Sequence, residues 1–257
     1  MDLKGRRALI SGASKGIGRA TAEIFAELGA DLVLLARDEA ALSELKKSLP
    51  RSERHTTLPL DVSDLERLGR AVTELTKTQP IEILICNAGG PKSGPLLEAS
   101  VDEFEKAFRT HLLANHTLVQ KLVPNMKQSG YGRIINIIST SVKTPLANLG
   151  VSNTIRASVA NWAKTLAMEL GPFGITVNNV LPGYTSTDRL DQLAKAAADK
   201  QGIDIEQVQK NWKGTIPLGR FAQPRETAQA IAFLASPWAS YVSGINLPVD
   251  GGRTPSL

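Results

Sequence analysis

Seven short runs of β-branched and apolar residues recur along the chain, at residues 7–11, 31–36, 56–60, 82–86, 134–138, 175–180 and 245–249, with helical periodicity between them. This alternation constrains the fold more than any other feature. Strands joined through helices pair in parallel by right-handed crossovers, and the helices then cover both faces of the sheet. The pattern predicts a doubly wound α/β fold with a parallel sheet of about seven strands. The segments between strands also carry end signals. Ile17, Ala20, Ile24, Phe25 and Leu28 share one face of the first helix, and Gly29 follows where a left-handed cap would close it. Ser63 with Glu66, and Ser100 with Glu103, read as capping boxes that open later helices.

With 257 residues, of which 42% are hydrophobic and 21% charged, the chain suits one large core, so residues 1–257 are expected to form a single domain. The irregular stretch is 185–215, where DRLDQLAKAAADKQGIDIEQVQKNW suggests two short amphipathic helices and no strand. Such an insertion after a late strand is expected to act as a flap over a ligand cleft.

The turn after the first run reads Ser11-Gly12-Ala13-Ser14-Lys15-Gly16-Ile17-Gly18. An apolar strand precedes it and an amphipathic helix begins within it, which is the setting of a Rossmann-type dinucleotide site. Glycines let the backbone approach a pyrophosphate, whose charge sits at the positive end of the helix. The expected contacts are Ser11, Gly12, Ser14, Lys15, Gly16, Ile17 and Gly18. The second run ends at Ala36-Arg37, where a carboxylate would bind ribose hydroxyls and repel a 2′-phosphate. Two cations, Arg37 and Lys15, without a carboxylate at that strand end favour NADP(H) over NAD(H). Asp38 is expected to cap the next helix instead.

Other classes fit poorly. The net charge of +5 is spread along the chain and interrupted by acids, which speaks against nucleic acid and for mild steering of an anionic ligand. The single cysteine, Cys86, lies in an apolar run and reads as an inert buried thiol. His55, His111 and His116 have no metal-ligand spacing, and there is no Gly-x-Ser-x-Gly elbow of a hydrolase. No signal peptide and no membrane span are readable, so the chain is expected to be soluble and cytoplasmic.

At this point the sequence resembles the short-chain dehydrogenases/reductases, and in particular their 3-oxoacyl-[acyl-carrier-protein] reductase branch. The motifs that carry the resemblance are SGASKGIG at 11–18, Asp61-Val62, Asn87-Ala88-Gly89, Pro182-Gly183 and Val249-Asp250-Gly251-Gly252, spaced in order over nearly the whole chain. The resemblance implies a seven-stranded sheet, a homotetramer or dimer, and a small-molecule or acyl-thioester substrate. It places Asp61 near the adenine, Asn87 and Gly89 along the nucleotide, and Ile17 and Thr187 near the nicotinamide, with Val62, Ala88, Pro182, Gly183 and Thr185 also expected at the cofactor site.

The resemblance also implies a catalytic set: a tyrosine proton donor, a lysine four residues later, a serine thirteen residues before the tyrosine, and an asparagine on an earlier helix. Here the serine is Ser139, the tyrosine position is Ser152, the lysine position is Arg156 and the asparagine position is His111. None of Tyr131, Tyr184 and Tyr241 is followed by lysine at the fourth or seventh position. A serine hydroxyl is shorter and far less acidic than a phenol. Arginine keeps a charge that can fork onto ribose hydroxyls, but it does not give up its proton as lysine can. His111 is a candidate general acid titrating near neutral pH, or else a buried, hydrogen-bonded helix histidine. Tyr184 and Lys143 could face the cleft, with packing and solvation as their default roles. Two functions follow: an NADP(H)-dependent oxidoreductase of a carbonyl or alcohol with a modified proton donor, or a catalytically silent NADP(H)-binding sensor or regulator.

Overall fold

The computed structural model describes residues 1–256. Its centre is one parallel sheet of seven strands: β1 (Arg7–Ser11), β2 (Asp31–Ala36), β3 (Thr56–Pro59), β4 (Ile83–Cys86), β5 (Gly132–Ile137), β6 (Ile175–Pro182) and β7 (Asn246–Val249). The spatial order is β3-β2-β1-β4-β5-β6-β7. The crossover direction reverses between β1 and β4, which pair from Ala8 opposite Ile83 to Ile10 opposite Ile85. Crevices for ligands open at such switch points, beyond the carboxyl ends of the strands.

Strands covered on both faces need apolar side chains at every position, which is why the runs read as continuous. The pleat then sorts them by parity. Ala8, Ile10, Leu32, Leu34, Ile83, Ile85, Ile135 and Ile137 face one helical layer, formed by α1 (Gly16–Glu27), α2 (Glu39–Ser48) and α9 (Pro224–Ala235). Leu9, Val33, Leu35, Leu84, Cys86 and Ile134 face the other, formed by α3 (Leu65–Thr78), α5 (Ala114–Ser129) and α6 (Gly150–Leu170). Phe25 on α1 is fully buried, a burial worth about 2–3 kcal/mol.

Several local expectations meet their physical outcome here. Gly29 has φ +93° after α1, Asp38 caps α2 by accepting from Ala41 N at 3.0 Å, and Ser100 with Glu103 closes a capping box on α4 (Val101–Phe108). The box expected at Ser63 and Glu66 does not form. Asp64 caps α3 by accepting from Arg67 N at 3.1 Å, because Ser63 Oγ donates to Asp61 at 2.8 Å. β5 begins at Gly132, earlier than expected, since a glycine is needed against Ile175: an added Cβ would lie 2.8 Å from its Cγ1. Residues 188–214 form two helices, α7 (Asp188–Gln201) and α8 (Ile205–Gly214).

Two features have no sequence signature. A wide π turn occupies Arg109–Leu113, between α4 and α5. A file of amides crosses the sheet interior: Asn115 Nδ2 donates to Asn136 Oδ1 at 3.4 Å, Asn136 Nδ2 to Asn179 Oδ1 at 2.9 Å, and Asn179 Nδ2 to Asn246 Oδ1 at 2.8 Å. Asn136 and Asn179 are buried and are tolerated there because each finds a partner. Among the described residues no helix is long and apolar enough to cross a membrane.

Candidate functional site

The glycine turn sits at the switch point and is stitched to the end of β4. Asn87 N donates to Ser11 Oγ at 2.9 Å, Ser11 Oγ donates to Asn87 O at 2.9 Å, and Asn87 Nδ2 donates to Gly12 O at 3.2 Å. Gly12 and Gly16 hold φ values of +62° and +56°, which side chains resist. At Gly18 a Cβ would lie 2.1 Å from Gly12 O, so the helix starts where only glycine fits. α1 begins with Lys15 at its N-cap and no side-chain acceptor, unlike α2, α3 and α4. Its first N–H groups are therefore left for an anion, and the turn fits a pyrophosphate. Ser14 is half-buried beside it, and Lys15 is exposed and bonded to Asp188 Oδ2 at 3.2 Å.

The start of α7 meets the turn from the other side. A Cβ on Gly16 would lie 3.3 Å from Thr187 Cγ2, and Thr187 Oγ1 donates to Thr185 O at 3.2 Å. Ile17 is half-buried at the head of α1. Pro182 ends β6, and Gly183 packs so closely on β7's exit that a Cβ would lie 2.7 Å from Asp250 Cα. Thr185 is buried, Val62 packs under the sheet edge, and Ala88 and Gly89 lead away from Asn87, with nothing within 4 Å of a Cβ built on Gly89.

Arg37 corrects one expectation. A carboxylate does stand near that strand end, because Asp61 Oδ2 lies 3.7 Å from Arg37 Nη1. Hydrogen bonds from Ser63 hold the Asp61 carboxyl below its usual range, and Arg37 adds to this. The two side chains are 81% and 46% exposed, so the pair is loose and contributes little.

The four catalytic candidates arrive from three elements. Ser139, just past β5, accepts from Ser141 N at 3.1 Å. Ser152 and Arg156 lie one turn apart on α6, which runs unbroken through this register. Arg156 is buried, and its Nη1 donates to Ile137 O at 2.9 Å. Burial, and then the charge of Arg189, lower its pKa to about 10, so it stays cationic at neutral pH. His111, on the π turn, is 4% exposed and faces the Gly89 backbone. Such turns recur at functional sites.

His111 does not titrate near neutral pH as expected of an acid. Burial first, and Arg156 second, push its pKa well below the ordinary 6.5, so the ring is neutral. The unfolded chain takes up this proton near 6.5 and the folded chain does not. The stability contribution is thus full above about 6.5 and shrinks as pH falls below it, by at most about 1.4 kcal/mol per pH unit. Denaturant unfolding between about pH 7 and 5 should show a shallower loss for His111→Asn than for the parent, with buried His55 supplying part of the remaining slope. Identical slopes would contradict the burial argument.

A cavity of about 630 Å³ opens beside these groups, walled by Lys92, Leu146, Val151, Tyr184, Trp212 and Arg253. Its lining stops at Val151, next to Ser152, and includes none of the four candidates. Tyr184 packs in its wall, stacked on Trp212 at 4.8 Å with the Arg253 guanidinium 4.5 Å above its ring. Sequence reasoning missed Arg253 and Trp212 as walls of this cleft, having read Trp212 only as part of an amphipathic helix.

A doubly wound sheet with a glycine turn at its switch point defines a class, the Rossmann-type proteins. Within that class, this chain belongs to the short-chain dehydrogenase/reductase family of oxidoreductases. Residues 12–254 match the family profile described as Enoyl-(Acyl carrier protein) reductase. The chain is 34% identical over 255 residues to the 3-oxoacyl-[acyl-carrier-protein] reductase FabG of Vibrio harveyi, covering 98% of each chain. It is similar to L-sorbose reductase from Gluconobacter frateurii, solved with NADPH and L-sorbose, at a TM-score of 0.92 and 33% identity over 100% of this chain and 99% of that one. It is also similar to 3-ketoacyl-(acyl-carrier-protein) reductase from Brucella melitensis, solved with NADH, at a TM-score of 0.87 and 31% identity over 98% and 100%.

Proposed function

We propose that the protein is an NADP(H)-dependent oxidoreductase that reduces a carbonyl of 3-oxoacyl type, or oxidises the corresponding alcohol, with a proton donor other than tyrosine. The observation that carries this reading is the uncapped start of α1, held beneath the glycine turn by Ser11, Asn87 and Gly12. Bound NADP(H) supplies or accepts a hydride. Lys15 and Arg37 take the 2′-phosphate, Asp61 and Val62 flank the adenine, and Arg156 forks onto the nicotinamide ribose. Arg156 also sets a fixed positive charge beside the substrate oxygen as it gains electron density, and Ser139 offers it a hydroxyl hydrogen bond. The oxygen draws its proton from water, because neither cationic Arg156 nor neutral His111 releases one at neutral pH. α7 and α8 serve as the flap, within a single domain that works as a cytoplasmic homo-oligomer.

The test is NADPH oxidation by the purified protein across ketones, 3-oxoacyl thioesters and, in reverse, alcohols. Tight NADPH binding with no transfer to any of them would establish the second reading, a silent NADP(H)-binding sensor, which is favoured by the absence of the four candidates from the cavity lining. Cofactor choice has its own test. Arg37→Glu should weaken NADPH binding by about ten- to a hundredfold in fluorescence titration, since it removes a charge-assisted contact and adds a repulsion. NADH affinity should hold or rise. Equal losses for both nucleotides would contradict the assignment of Arg37.

A further inference from the structure

Two guanidinium groups stand beyond the carboxyl ends of neighbouring strands, Arg189 over the loop after β4 and Arg156 against the end of β5. Arg156 is 7% exposed and spends one N–H on Ile137 O, while its Nε is buried with no partner. Arg189, in the first turn of α7, donates from Nη2 to Pro91 O at 2.6 Å, and its guanidinium lies over the β4 loop: a Cβ on Gly90 would be 3.4 Å from Nη2. Among the described residues neither arginine takes part in an ion pair, although Asp188, the neighbour of Arg189, does so with Lys15. Each guanidinium carries five N–H donors, so most of their capacity is unspent.

Like charges brought together away from water are unfavourable unless an anion joins them. Burial lowers both pKa values, and Arg189 lowers that of Arg156 further. A natural occupant that supplies negative charge would relieve the pair. The cofactor's phosphates already have the start of α1, Lys15 and Arg37. Arg189 instead holds the carbonyl of Pro91, and the next residue, Lys92, lines the cavity together with Lys200 and Arg253. The acids there are Glu98 and Glu103, and Glu103 is bound into the capping box of α4.

We propose that the substrate is an oxo acid or hydroxy acid whose carboxylate is held by Arg189, with Arg156 as the second cation. Planar guanidinium groups suit carboxylate oxygens two at a time, which a neutral ketone cannot exploit. The proposal rests on the oxidoreductase reading above and narrows its substrate class.

The experiment compares 2-oxohexanoate and 3-oxohexanoate with their methyl esters. Binding to the protein saturated with NADP⁺ is measured by calorimetry, and hydride transfer is followed separately by NADPH oxidation. At least one acid should bind about tenfold or more tightly than its ester. Arg189→Leu should remove the difference, Arg189→Lys should keep part of it, and both should bind NADPH within about twofold of the parent. Equal binding of acids and esters, or binding of none, overturns the proposal. So does an Arg189→Leu protein that loses NADPH affinity but keeps the acid preference, since Arg189 then serves the cofactor. Acid-selective binding without hydride transfer supports the anion site while overturning the oxidoreductase reading. Transfer to acid and ester alike does the reverse.

Discussion

Gly18→Ala is expected to lower NADPH affinity by about a hundredfold or more, the loss of two charge-assisted contacts to phosphate. The added methyl would sit 2.1 Å from Gly12 O and 2.8 Å from Gly12 C, backbone atoms that cannot swing aside, and 2.7 Å from Asn87 Nδ2. Either α1 retreats or the turn opens, and both moves part the Asn87 amide from Gly12 O and shift the uncapped N–H groups off their target. A fluorescence titration with NADPH, run beside thermal unfolding, reads affinity and fold separately. Gly89→Ala is the companion variant. Its methyl meets no protein atom within 4 Å, so the fold should be untouched, and any loss of affinity reports the volume of the ligand itself. A Gly18→Ala protein that binds NADPH like its parent would remove the basis of the cofactor assignment.

The second large effect is a gain. The triple variant His111→Asn, Ser152→Tyr, Arg156→Lys should reduce neutral 3-oxoacyl thioesters with kcat/KM raised by about a hundredfold or more, the usual contribution of a positioned general acid. Positions 152 and 156 share a face of the unbroken helix α6, and the side chain at 156 already reaches the end of β5 through Ile137 O, two residues before Ser139. A phenol at 152 brings the missing proton closer to the oxygen, and an ammonium at 156 lowers the phenol's pKa. Steady-state kinetics on the parent, the three single variants and the triple variant would measure this. Oxo-acid turnover should fall in the same variant as the fixed guanidinium disappears. A triple variant that loses its native activity and gains nothing on thioesters would mean that the site has been rebuilt around Arg156 rather than thinned.

The strands were legible because a sheet covered on both faces demands uninterrupted apolar runs, and no other soluble arrangement leaves that trace so regularly. The turn at 12–18 was legible because its glycines are required locally, by φ at 12 and 16 and by a contact six residues away at 18. What escaped was decided by partners that the periodicity does not name. Ser63 looks like a cap until Asp61 takes its hydroxyl, and Arg37 looks unopposed until β2 and β3 bring Asp61 to 3.7 Å. Arg189 acquires its place through a carbonyl 98 residues earlier in the chain. The π turn adds one residue to a helical repeat without marking it, so the sequence left His111 open between a titrating acid and a buried helix histidine, and the side chain is buried.

The amide file has a consequence for the cleft. Its first member, Asn115, stands one turn after His111, and its last, Asn246, lies on the strand whose exit carries Arg253 over Tyr184. Every link points the same way, each carbonyl receiving what the previous amide gives. Replacing Asn136 or Asn179 by aspartate would keep the bond it accepts and break the one it donates. One file of amides thus ties the helix that follows the π turn to the last strand of the sheet, and a break in it would be felt at both ends.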